Sequence, residues 1–236
     1  MGHPDLIFCF NNSPALTTLA LNYGFLYGHR TSQAPLPSPP FPPPAFLDLD
    51  HRTPDKHFPR HLALAAQHQP KYAIAGDATT PDELNKALQR AEQLALVAPH
   101  TYIIIVPKTV DLINNTPTEF PYMTGYSLPT EFGATLAPPA AYGAAVQPPR
   151  KIHILGGSPK AQIQAALLID PTLDNIASVD TNAHVKAAQV GTYWDAFSNK
   201  WKRMQRNTSR VQQDHLIPAF CRSSRSIQQA WKIWSP

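Results

Sequence analysis

Three short apolar runs of this chain each end in an aspartate: AFLD at Asp48, YAIAGD at Asp77 and IASVD at Asp180. In a parallel α/β protein the C-terminal ends of the strands converge on one mouth, so carboxylates placed there would meet. Two carboxyl groups flanking a scissile C1′–N bond can act as nucleophile and general acid/base, as in a retaining glycosidase. An aspartate after a strand can also do no more than cap the following helix. The threefold occurrence is what points to chemistry.

Other strand-like runs end in different residues: TYIIIVPK at Lys108, GYSLPT at Gly125–Thr130 and KIHILGG at Gly157. Lys108 closes a wholly apolar run, so it needs a polar mouth to point into. Gly156-Gly157-Ser158 lies between a strand and a helix start. Paired glycines there let a ligand approach the backbone, and free amides favour an anion; a plain tight turn uses the same residues. No GxGxxG, P-loop or HExxH occurs.

Cys9 and Cys221 are the only cysteines, which excludes a disulfide framework and argues against structural zinc. Of the ten histidines, His51, His57, His61 and His68 share one region. They read as surface residues of a polar loop and helix, with His51 close enough to Asp48 to join a site. No metal site and no organic cofactor is expected.

Eight strands are expected to carry these residues: Asp5–Phe10, Phe25–His29, Ala45–Asp48, Lys71–Asp77, Thr101–Lys108, Gly125–Thr130, Lys151–Gly157 and Ile176–Asp180. Helices are expected after Ser13-Pro14, over Phe58–His68, from Thr80 to about Val97, after Ser158-Pro159 and through HVKAAQV. Thr80-Pro81-Asp82-Glu83 is the strongest start, with a capping threonine and acids in the first turn. Residues 109–123 carry only a weak helical signal. The proline-rich Pro35–Pro44 and Ala137–Pro149 stretches read as stiff connections.

Alternation of this kind predicts an α/β fold, a compact (β/α)8 TIM-type barrel over residues 1–199, with an open doubly wound sheet as the rival. The chain has 236 residues and is 43% hydrophobic, enough for one such core. No apolar run approaches the ~20 residues of a membrane span, and a signal-peptide pattern is lacking, so a soluble cytoplasmic protein is expected. Residues 200–236 form a basic extension: eight Lys/Arg against Asp214 alone give +7, while residues 1–199 sum to −3. Trp201, Phe220, Trp231 and Trp234 interleave with that charge. They suit either stacking on a polyanion's bases or, for IQQAWKIW, an amphipathic helix docked on the barrel.

Taken in order from Asp5 to Tyr193, these strand ends resemble the queuine/archaeosine tRNA-guanine transglycosylase superfamily, nearest to its relatives that place 7-deazaguanines in DNA. The eighth strand carries most of the likeness: Asp180 is followed by Thr181, Asn182, His184, Lys186 and, eleven residues on, Gly191. FLDLDH resembles the family's strand-end Asp segment, YAIAGD its base-recognising strand, and GYSLPT and HILGGSP its two glycine-bearing strands. DLDHR replaces the family's Ser-Gly-Gly-Phe-Gln signature, and the Cys-rich zinc motif is absent. Both departures fit a shortened relative acting on DNA, or one that has changed base, better than a tRNA enzyme.

The resemblance implies an enzyme that exchanges guanine for a 7-deazaguanine in DNA, or less readily tRNA, with free base as the second substrate and no cofactor. A helper protein or homo-oligomer is compatible with it. It implies Asp180 as nucleophile and Asp48, or else Asp50, as general acid/base. Asp77 would read the base, with Lys108 in place of the family's amide. Gly125, Tyr126 and Ser127 would line the base pocket, and Gly156 and Gly157 would lead toward the nucleophile. Two other classes stay open: a non-catalytic nucleic-acid-binding barrel, and a nucleoside or glycoside hydrolase using the same carboxylates.

Overall fold

A computed structural model describes residues 3–9, 13–33, 41–128, 133–146, 150–204 and 215–233. The elements run β1 (Asp5–Cys9), α1 (Pro14–Asn22), β2 (Leu26–Arg30), β3 (Phe46–Asp48), α2 (Pro54–His68), β4 (Tyr72–Ala78), α3 (Pro81–Val97), β5 (Tyr102–Pro107) and α4 (Val110–Asn114). They continue with β6 (Tyr122–Ser127), α5 (Pro139–Ala145), β7 (Ile152–Leu155), α6 (Pro159–Ile169), β8 (Ile176–Thr181), α7 (Ala183–Gln189), β9 (Thr192–Asp195), β10 (Lys200–Arg203) and α8 (Leu216–Ile233). Strands β1 to β8 pair in sequence order, all parallel, and β8 closes on β1. The fold is a (β/α)8 barrel. The open-sheet rival is excluded by that closure.

Local chemistry accounts for the helix starts. Ser13 and Ser158 each accept a backbone N–H with a proline at the first helical position, and Thr80 with Glu83 forms a capping box on α3. Leu84, Ala87, Ala91 and Leu94 of α3 bury one face against Ile103 and Ile105 of β5. The alternate residues of the strands point inward, where Ile7, Cys9, Phe46, Tyr72, Ile74, Ile104 and Val106 fill the barrel. A sheet buried on both faces is why β5 reads as an unbroken apolar run.

Some elements differ from expectation. Helix α2 starts at Pro54 rather than Phe58, because Thr53-Pro54-Asp55 supplies a proline-led first turn and Asp55 pairs with Arg90 of α3. Helix α5 occupies part of the stretch read as a proline-bounded connection. Between β2 and β3 the described residues contain no helix; residues 34–40, most of the proline-rich loop, lie outside them. So do Pro129, Thr130, Pro149, Arg206, Arg210, Asp214 and Trp234.

Beyond α7, β9 and β10 form an antiparallel hairpin. Helix α8 then packs on α7, β9, α1 and α6. Its Phe220, Ile227, Ala230 and Trp231 are fully buried there, while Trp201 stacks edge-on against Trp194. Residues 216–233 therefore complete the helical layer beside α1, a place the short α7 cannot fill. Among the described residues no helix is long and apolar enough to cross a membrane.

Candidate active site

The C-terminal mouth of the barrel holds a cavity of about 510 Å³, lined by the side chains of Asp48, Asp77 and Asp180 together with Arg30, His51 and Lys186. All three aspartates arrive on strand ends. Each is anchored through one carboxylate oxygen, and among the described residues the other oxygen has no partner.

Asp48 ends β3 beside Arg30, its register partner on β2. Arg30 Nε donates to Asp48 Oδ2 at 2.8 Å. Burial pushes the Asp48 carboxyl above the usual carboxylate range; Arg30 pulls it back, and the nearby Asp180 and Asp77 push it further up. Asp48 in turn raises the pKa of the Arg30 guanidinium, against the opposing effect of burial.

Asp77 is held by Lys108, whose Nζ lies 2.6 Å from Oδ2 and also donates to the Gly133 carbonyl at 2.8 Å. Lys108 is buried and stands behind Asp77 rather than on the cavity wall. Its aim depends on a bulge in β4. Pairing with β5 slips between Ile74 and Gly76, so Asp77 faces the same side as Ile74 although it lies three positions on. Gly76 supplies the unusual backbone, with φ of 152°, and a Cβ there would lie 2.9 Å from Arg90 Nη1.

Asp180 Oδ1 accepts the Gly156 N–H at 3.1 Å. Consecutive left-handed residues, Gly156 (φ 66°) and Gly157 (φ 79°), form the turn that carries this amide. Gln162 of α6 donates to the carbonyls of both Gly156 and Asp180, at 2.8 and 2.7 Å, tying the ends of β7 and β8 together. From inside the barrel, His153 Nε2 approaches Asp180 Oδ1 to 3.3 Å.

Of the residues singled out in the sequence, Asp48, Asp77, Asp180, Ser127, Gly156 and Gly157 share the cavity wall. Asp50 does not. Arg52 binds both its oxygens, at 3.0 and 2.9 Å, and Ser32 donates to it as well; these bonds hold its carboxyl well below the usual range. Gly125 lies deeper in the barrel, where a Cβ would come within 2.8 Å of Val106 Cγ2. Tyr126 faces the helical layer, its ring edge-on to Tyr142 and its hydroxyl donating to the Ala137 carbonyl. His184 turns away into the rings of Phe8, Phe25 and Phe220.

Sequence reasoning missed Arg30 and His153. Arg30 directly follows the FLYGH run, so extending that strand by one residue would have found it. His153 alternates with Leu155 in KIHIL, and period-2 phase puts both on the inner face. Among the described residues no cluster of His, Cys, Asp and Glu is arranged to hold a metal.

Among solved structures, the chain is similar to thiamine phosphate pyrophosphorylase from Pyrococcus furiosus, at 11% identity over 98% of this chain and 97% of that one, with a TM-score of 0.47. It is also similar to N-(5′-phosphoribosyl)anthranilate isomerase from the same organism, at 11% identity over 94% and 99%, with a TM-score of 0.32. No curated protein matches it. Residues 20–235 match DUF6610, a family of unknown function, and the chain belongs to that family.

Proposed function

We propose that this barrel exchanges a nucleobase at a C1′–N bond through a covalent Asp180–sugar ester. One observation carries the reading: three carboxylates in unlike environments each offer a free oxygen to one cavity. Environments that set carboxylates apart are what divide acid from nucleophile. Asp48, raised by burial, is the proton carrier. Asp180, tethered by Oδ1 to a backbone amide, presents Oδ2 as the nucleophile.

In the first half-reaction Asp180 Oδ2 attacks C1′ and the C1′–N bond breaks. Its electron pair stays on the base, which takes the proton from Asp48. In the second, ionised Asp48 removes the N–H proton of an incoming base, that nitrogen attacks C1′, and the C1′–O bond breaks to restore the Asp180 carboxylate. Asp77 accepts from the ring N–H and amino group of the base, with Lys108 holding it still. Following the likeness to the tRNA-guanine transglycosylases, the leaving base is guanine, the incoming one a 7-deazaguanine and the polymer DNA. Such a target must leave its stack to reach a recessed mouth.

The test incubates the protein with labelled guanine and DNA or tRNA, then traps the adduct under denaturing conditions. Label is expected in DNA, and Asp180→Asn is expected to remove both exchange and adduct. Exchange that survives this change would overturn the nucleophile. A second reading is hydrolysis of a free nucleoside, favoured by a cavity of small-ligand size. Release of base from free nucleosides, with no label entering polymer, would select it.

A further inference from the structure

The barrel interior beneath Asp180 holds a buried pair of polar side chains, His153 and Ser178. His153 on β7 is completely buried, its ring stacked on Phe46 at 5.2 Å. Its Nε2 lies 3.3 Å from Asp180 Oδ1, and its Nδ1 lies 2.8 Å from Ser178 Oγ. Ser178 is fully buried as well.

We propose that His153 is a positioning residue for Asp180, held by Ser178 with its Nε2–H facing the carboxylate. The assignment rests on Asp180 being the nucleophile. A carboxylate only accepts, so a bare Nε2 lone pair facing Oδ1 would repel it, and the ring hydrogen belongs on Nε2. Nδ1 is then left to accept, and the Ser178 hydroxyl donates to it across 2.8 Å.

The Nε2–Oδ1 approach is out of hydrogen-bond alignment, and catalytic hydrogen bonds commonly tighten when substrate binds. Gly156 N–H and His153 both address Oδ1. Their shared target leaves Oδ2 turned to the cavity. Once Oδ2 has become the ester oxygen, the same two donors sit on the carbonyl oxygen, where negative charge returns as the ester breaks. His153 thus stabilises the carboxylate as a leaving group in the second half-reaction.

Two measurements on the full chain test this. Ring ¹⁵N–¹H correlation spectra of the histidine-labelled protein, with the His153 signal assigned by its loss in His153→Gln, are expected to show hydrogen on Nε2. A His153 ring protonated on Nδ1 alone would overturn the proposal without reference to any activity. In the exchange assay, His153→Leu is expected to lower kcat on the order of 100-fold with little change in KM, and His153→Gln, which keeps a donor, to recover part of it. Equal losses in the two variants, both folded by circular dichroism, would overturn the donor role. An Nε2–H signal in a protein that never exchanges bases would support the positioning and sink only the exchange reading.

Discussion

Arg30 Nε and Asp48 Oδ2 stand 2.8 Å apart at the ends of adjacent strands, and the pair sets two influences against each other. Burial pushes the Asp48 carboxyl up while the guanidinium pulls it down. Removing Arg30 leaves burial and the neighbouring carboxylates unopposed. Arg30→Gln is therefore expected to raise Asp48 further. The first half-reaction needs protonated Asp48, so its decline at high pH should move to higher pH. Adduct formation followed across a pH series reads this shift; an unchanged profile would remove Asp48 from the acid role.

Lys108 and Asp77 form an enclosed ion pair at the mouth, with side-chain exposures of 3% and 21%. Lys108→Met would leave Asp77 uncompensated and the Gly133 carbonyl short of a donor. The expected loss of stability is about 3 kcal/mol, at the low end for a buried pair because Asp77 is partly solvated. Adding Asp77→Asn should return part of that loss, since no lone charge then remains. Urea unfolding of the single and double variants measures both quantities.

Three buried histidines make the fold sensitive to acid. Burial lowers His29 to about 4 and both His61 and His184 to about 3, from an ordinary 6.5. The unfolded chain then binds more protons than the folded one below pH 6.5. The stability they contribute is complete above that pH and is lost as pH falls toward 3–4. At pH 5, His61 and His184 should each cost about 2 kcal/mol relative to pH 7.5. Urea unfolding at the two pH values tests this, and equal stabilities would contradict it.

Helix α8 buries Phe220 and Trp231 while Arg222 and Arg225 lie over the rings of Tyr193 and Tyr23. Truncation after Asn199 is expected to unfold the barrel, and Trp231→Ala to cost about 3–5 kcal/mol. If the exposed basic face also meets DNA, Arg222→Gln with Arg225→Gln should flatten the salt dependence of binding while leaving the melting temperature nearly unchanged. Thermal melts and binding titrations at two salt concentrations separate the two roles.

Much of this architecture is local and was legible in the chain. Thr80 and Glu83 cap α3 from within four residues, and Ser13 and Ser158 do the same beside their prolines. The aspartates at positions 48, 77 and 180 were legible as a set, because parallel strands can only bring their C-terminal ends to one face. Side-chain direction was not local. Asp48 faces the cavity and Asp50 is consumed by Arg52, a distinction that rests on the turn after β3.

Asp77 reaches the mouth only because a bulge at Gly76 shifts the phase of β4, and strict alternation along YAIAGD would have turned it outward. Ser127 lines the cavity while Tyr126, one residue earlier, enters the helical layer. Arg30 and His153 gain their roles from strands distant in sequence, through β2–β3 pairing and the β7–β8 register. Capping, turn chemistry and burial periodicity act over a few residues, so the sequence by itself determined the elements and the barrel they build. Which oxygen or ring nitrogen meets which partner depends on stagger and closure among eight strands, and only the tertiary structure decided that.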